Sequence, residues 1–327
     1  EPHNVYRHEI VPDLPFFPDD NKAKLLAKEI KKIGSDSNIG STEDVVSYFL
    51  NGKPGFGASD IIIDTTASTA VHETITEFGG QSKGRFCQAS FQAFGKVGHL
   101  YLEGEGRNPR NDDLLVYALD FAAQNPLLRH LFFSQNEEVS PQSVGQGCHS
   151  YTMHMSDPLA SLHSGGMVSQ LHHWLSSGLP KSGWVGISHT DDSGLGVCWE
   201  VKSLGKTLVF PPVPETEGWE VRILEGVVSE ILEETDKWRP SETGGALLGH
   251  VNSHRKRITI SRTLHSPEDA PRSTHGFTLD LNELAENIAD WEKSTNEKVL
   301  FIGTWHSHPN GGSFSEIDNG TLDKFSK

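Results

Sequence analysis

The chain has 327 residues, enough for about two domains of ordinary size, each with its own core. Its 44 acidic and 28 basic residues leave a formal net charge of −16. That charge repels phosphate backbones and anionic membranes, so nucleic acid and lipid surfaces are excluded as first expectations. The acidity either keeps the protein dispersed or offers a docking surface to a basic partner. No apolar run approaches the roughly 20 residues that span a bilayer, and the N-terminus lacks the charged-then-apolar pattern of a signal peptide. Cys87, Cys148 and Cys198 form no CxxC pair, which fits a reducing cytoplasm.

In chain order, Asn21 to Gly34 places Ala23, Leu26, Ala27, Ile30 and Ile33 at helical spacing with lysines on the other face, predicting an amphipathic helix. Asp60 to Thr66 is a short apolar run with polar ends, expected as a central strand of a parallel sheet that opens into a site at its carboxyl end. Leu100 to Arg110 reads as a strand entering a loop, and Asp157 to Leu175 as a helix despite Gly165 and Gly166. Pro211, Pro212 and Pro214 break all periodicity between residues 208 and 218, predicting a linker there, with domains over 1–207 and 219–327. Beyond it follow a helix over 221–234, a Gly-rich strand over 243–251, a half-buried strand over 257–264, a helix through Leu281, Leu284, Ile288 and Trp291, and a strand over 299–304. The order of elements predicts an α/β fold.

The last strand delivers His306-Ser307-His308-Pro309. Alternate residues of an extended segment point the same way, so both imidazoles can reach one metal while Ser307 points away. Asp318, beyond a Gly-rich loop, is the third candidate ligand, leaving a fourth position for water on zinc. Glu242, before Gly244 and Gly245, is the candidate general base. Ser315 is the candidate hydroxyl donor to an oxyanion. Of the remaining histidines, His149, His154, His163, His172 and His173 are expected at the surface or satisfied in the core. His250, His254, His265 and His275 are candidates for the rim of the metal cleft.

From about Trp219 to Asp318 the sequence resembles the JAMM (MPN-type) metalloprotease domain, with Glu242, His306, His308, Ser315 and Asp318 on the family's pattern. The resemblance implies an α/β fold around a curved sheet, zinc, and hydrolysis of amide or isopeptide bonds at the C-terminus of ubiquitin-like modifiers. Five residues separate Pro309 from Ser315 where the family has six, and the chain stops nine residues after Asp318, as a trimmed C-terminus would.

Residues 3 to 176 resemble, through shorter motifs, the Rossmann-like ThiF/MoeB adenylation fold of ubiquitin-activating enzymes. The resemblance implies ATP-phosphate contacts for Asn4, Arg7 and Lys22, a place for Asp64 in the same site, and a homodimer. The family's Gly-rich loop should precede Asn4, and its second strand-end acid falls at Ala67. The chain is therefore expected to be a fragment of a longer activating enzyme, or one that no longer adenylates with ATP and magnesium. Cys148 stands where some activating enzymes carry the thioester cysteine, and is either that nucleophile or an ordinary buried thiol. Together these expectations describe a cytoplasmic bacterial fusion. A zinc peptidase would process or deconjugate a ubiquitin-like modifier, with a conjugating enzyme as a further partner. The alternatives are an activating enzyme with a regulatory C-terminal domain, and a scaffold without metal.

Overall fold

The chain carries two five-stranded sheets and divides into two compact units. The computed structural model describes residues 22–33, 39, 60–78, 83–133, 142–143, 151–152, 155–190, 193–309 and 311. One unit comprises Glu1–Leu102, Gln135–Leu179 and Gly186–Glu200; the other comprises Glu103–Ser134, Pro180–Val185 and Val201–Lys327.

In the first unit, α1 (Lys22–Ile33) follows the predicted periodicity, yet Leu26, Ile30 and Ile33 of its apolar stripe are exposed. Strand β1 (Ile61–Asp64) leads through α2 (Thr69–Phe78) to β2 (Arg85–Gln92), and the two strands pair in parallel from Ile61↔Arg85 to Asp64↔Gln88. A helix is the usual connection that returns the chain for parallel pairing. A tight turn at Ala93–Gly95 then reverses it into β3 (Val97–Leu102), antiparallel to β2. A two-residue ladder joins β4 (Gln142–Ser143) and β5 (Tyr151–Thr152). Helix α5 (Asp157–Ser177) follows, then β6 (Gly183–Thr190) and β7 (Val197–Leu204), both of which have residues in each unit. The strand order is β1-β2-β3-β6-β7. The sheet is therefore mixed rather than parallel, and among the described residues β1 lies at its edge rather than at its centre.

All six residues of β3 are buried, so its polar side chains must find partners inside the protein. Tyr101 Oη lies 2.7 Å from His99 Nδ1, and His99 Nε2 lies 3.1 Å from Gln92 Oε1. Beside them His163 of α5, fully buried, places Nδ1 2.6 Å from Ser188 Oγ. Burial and the neighbouring His163 pull the His99 pKa down to about 4, so the ring is neutral at physiological pH. Burial also lowers the His163 pKa, and His189 adds to that, against a Gly95 carbonyl that raises it.

The second unit holds α3 (Asn111–Gln124), α4 (Pro126–Phe133), β8 (Leu208–Phe210), β9 (Glu220–Ile223), α6 (Glu225–Trp238), β10 (Gly244–Asn252), β11 (Arg257–His265), the hairpin β12 (Arg272–Ser273) and β13 (Gly276–Phe277), α7 (Leu281–Ser294), and β14 (Leu300–His306). Its sheet runs β14-β10-β11-β9-β8. Among the described residues, the β9–β11 pair of this sheet is parallel and the other three are antiparallel. The segment predicted as a linker contains β8, which pairs with β9 from Phe210↔Val221 to Leu208↔Ile223. The helix predicted from 221 begins at Glu225, because Val221 to Ile223 belong to β9.

Leu224, Val227 and Ile260 form a buried cluster, covered by Ile231, Leu247, Ile302 and Tyr117 of α3. Around it, α3 is tied to the sheet by charge. Asp113 takes two bonds of 2.6 Å from Arg222, Asp120 two of 2.8 Å from Arg262, and Asp112 one of 2.5 Å from Arg257. Asp113 and Asp120 are seven residues apart and so share one face of the helix. Two register slips flank the middle of β10. Ser261 is the extra residue on β11 and Ile302 the extra residue on β14, both opposite the Leu247 to Gly249 stretch. Bulges bend a strand and increase its twist, which accounts for the curvature expected of this sheet.

Candidate metal centre

Glu242, His306 and His308 converge because β10 and β14 pair in antiparallel fashion with Gly244 opposite His306. A side chain at Gly244 would collide with the Trp305 carbonyl and the Phe277 ring, and one at Gly245 with the Leu264 carbonyl. Only glycine permits that approach. Glu242 precedes this pairing and is held by its own amide, which donates to the Ser273 carbonyl at 2.8 Å. Its carboxylate is largely buried, with Oε1 3.5 Å from His308 Nδ1.

The two imidazoles meet tip to tip with their planes inclined at 57°. His306 Nε2 and His308 Nε2 lie 2.9 Å apart, with ring centroids 4.7 Å apart. Two nitrogens on one tetrahedral zinc, each at about 2.0–2.1 Å, stand roughly 3.3 Å apart, so this pair needs to open by only a few tenths of an ångström. A carboxylate beside the far nitrogen of a ligating histidine is the common device that fixes its tautomer, and Glu242 stands there. The donor set therefore fits zinc as far as the described residues reach. Among those residues no group of three or more His, Cys, Asp or Glu side chains is placed to hold a metal. Asp318 and Ser315 lie outside them, as do Asn4, Arg7 and Cys148.

Lys22 opens α1. Asp64 closes β1, buried, and accepts from the Thr66 amide at 2.9 Å and the Thr66 hydroxyl at 2.7 Å. The structure thus brings Glu242, His306 and His308 together. Cys87 is buried, and desolvation, against a smaller opposing effect of Arg85, pushes its pKa up to about 12, which makes it inert. Cys198 is exposed. His172 and His173 are exposed on α5, and His163 is buried in the core with Nδ1 bonded to Ser188. His265 packs edge-on against Trp305, its ring centroid 6.3 Å away. Because Trp305 and His306 alternate along β14, His265 is on the opposite face from His306 and does not border the candidate site. His275 sits at the turn of the β12–β13 hairpin, whose Ser273 holds Glu242.

Sequence reasoning missed the supporting residues. Arg272 stacks on Trp238, 3.8 Å from the ring centroid. It donates to the Ser266 hydroxyl at 2.6 Å, the Pro267 carbonyl at 2.8 Å and the Thr243 hydroxyl at 3.3 Å. One guanidinium thereby gathers the 266–271 loop against the segment that carries Glu242. Trp305 donates Nε1–H to Thr263 Oγ1 at 2.8 Å, anchoring the strand just before His306. These bonds cross between strands, so no local spacing announces them.

Residues 224–325 match the family described as prokaryotic homologs of the JAB domain. The matched segment takes in Glu242, His306 and His308. A protein of Sinorhizobium fredii (strain NBRC 101917 / NGR234) named probable metalloprotease y4qB is 28% identical over 91 residues. That alignment covers 28% of this chain and 55% of the relative, so the chain spans about half the length of the relative it matches. No helix among the described residues is long and apolar enough to cross a membrane.

Proposed function

We propose that the JAB-like segment is a zinc-dependent peptidase that cleaves amide or isopeptide bonds at the tails of ubiquitin-like modifiers. The observation that carries this reading is the convergence of His306 Nε2 and His308 Nε2 at 2.9 Å beside the Glu242 carboxylate. His306, His308 and Asp318 would hold the metal. Zinc, when bound, supplies Lewis acidity and lowers the pKa of a coordinated water. Glu242 would act as the general base and acid, taking a proton from the attacking water and passing it to the leaving amine, from a largely buried carboxylate. Ser315 donates to the developing oxyanion. The Sinorhizobium relative is named a probable metalloprotease, which supports this reading.

The N-terminal part is read as a remnant of a ThiF/MoeB-like activating domain in the same modifier pathway, acting in the cytoplasm of a bacterium, with the modifier and a conjugating enzyme as partners and a homodimer as the assembly. Asp64 at the end of β1, followed by α2, supports it. That strand end supplies a single carboxylate already engaged by Thr66, and Ala67 adds no side-chain oxygen, so the described residues form no magnesium site there. Cleavage of a modifier fusion by the zinc-loaded chain, with Glu242→Gln, tests the main reading. The substitution should lower kcat by about 10²- to 10⁴-fold, and an unchanged rate refutes the base role.

A further inference from the structure

His308 should not reach His306 by strand geometry alone. Residues i and i+2 of a strand are about 6.5 Å apart along it and their side chains run parallel, yet the two Nε2 atoms are 2.9 Å apart. Strand β14 ends at His306, so the ladder is interrupted between the two histidines. The register that pairs Gly244 with His306 makes Thr243 and Ser307 the next pair. In a hydrogen-bonded antiparallel pair each residue donates its amide to the other's carbonyl. Here one bond is regular, the Ser307 amide donating to the Thr243 carbonyl at 2.8 Å. The second is not. The Thr243 amide donates instead to the Ser307 hydroxyl, at 3.1 Å in a buried position.

We infer that the Ser307 hydroxyl, by taking the Thr243 amide in place of its own carbonyl, ends the ladder and is the positioning group that turns His308 onto His306 and beside Glu242. Ser307 is only 8% exposed, so the side chain that alternation turns away from the two imidazoles is buried against Thr243. The bond also fixes the first residue after Glu242, so one hydroxyl sets the separation of all three groups. The inference rests on the zinc reading above.

The test is zinc affinity of the metal-free chain by chelator competition, together with the visible absorption of the cobalt(II)-loaded protein. Ser307→Ala and Ser307→Thr are compared with the parent, each checked by thermal melting. Ser307→Ala should bind zinc about 10- to 100-fold more weakly, the range for losing an outer partner of a metal ligand, with an altered cobalt spectrum. Ser307→Thr, which keeps the hydroxyl, should stay within about threefold with the parent spectrum. If the alanine variant does not fold, Ser307→Cys, a weak acceptor of similar size, replaces it and should also lose affinity. Alanine or cysteine variants that match the parent in affinity and spectrum overturn the inference and leave the zinc reading standing. A parent chain that binds no zinc overturns the zinc reading, and this inference with it.

Discussion

The two units bury polar groups in opposite ways. Around β3 of the first, the interior groups are neutral: Tyr101, His99, Gln92, His163 and Ser188 exchange hydrogen bonds about an entirely buried strand. In the second they are charged: Asp113 with Arg222, Glu103 with Arg107, and Asp120 with Arg262. A neutral network fails when a proton is added, whereas a buried ion pair fails when either partner is removed. The contrast predicts separate weaknesses.

The largest effect should come from breaking the Asp113–Arg222 pair, whose side chains are at most 3% exposed. Asp113→Leu should cost about 3–5 kcal/mol in denaturant unfolding of the second unit, because it strands a buried guanidinium. Asp113→Leu with Arg222→Met should recover most of that loss. What remains is the helix-capping bond from the Arg110 amide to Asp113 Oδ2. A double variant as weak as the single would show that the pair acts by attraction rather than by mutual neutralisation.

Acid should affect the first unit next. The His99 pKa is depressed to about 4 from 6.5, so stability present above pH 6.5 is lost as the pH falls toward 4. The loss should be about 2–3 kcal/mol. Residue-resolved unfolding followed at β3 between pH 7 and 4 checks it, and a flat profile there would remove the contrast. In the second unit burial raises the Asp112 carboxyl, but Arg110, Arg257 and Arg222 outweigh it and set the pKa at about 2. Its stabilisation is present above pH 4 and lost as the pH falls from about 4 to 2, by about 1–2 kcal/mol. Asp120, whose pKa burial raises despite Arg262, works in the opposite sense and blunts that fall. The smallest effect belongs to Lys237–Glu268, a pair 51% and 83% exposed. Glu268→Gln should shift stability by less than about 0.5 kcal/mol.

Periodicity made most elements legible in the sequence. The helix at 157–177, the strand at 257–265 and the helix at 281–294 all fall where the apolar spacing places them. The β8–β9 pair was not legible, because Pro211, Pro212 and Pro214 punctuate it as a linker would, and what pairs Leu208 with Ile223 is a ladder rather than a local preference. The site divides in the same manner. His306 and His308 are visible from their spacing, and Glu242 from the Gly-rich segment it precedes. Their actual proximity depends on the Gly244↔His306 register and on the Ser307 hydroxyl, neither of which any single window of sequence contains. The buried histidines of β3 and α5 were legible only as residue types, since their partners come from other elements.

The extra residues Ser261 and Ile302 give the second sheet a defined tolerance to changes in chain length. Shortening β14 by one between Gly303 and Trp305 would advance the downstream backbone by one step and turn His306 to the reverse side. Removing Ile302 itself would restore the register at that step and leave His306 facing as before, on a flatter sheet that has lost one side chain from the cover of the Leu224 cluster. A deletion series along 301–305, scored for zinc retention, should therefore show a single permissive notch at the Phe301–Ile302 step.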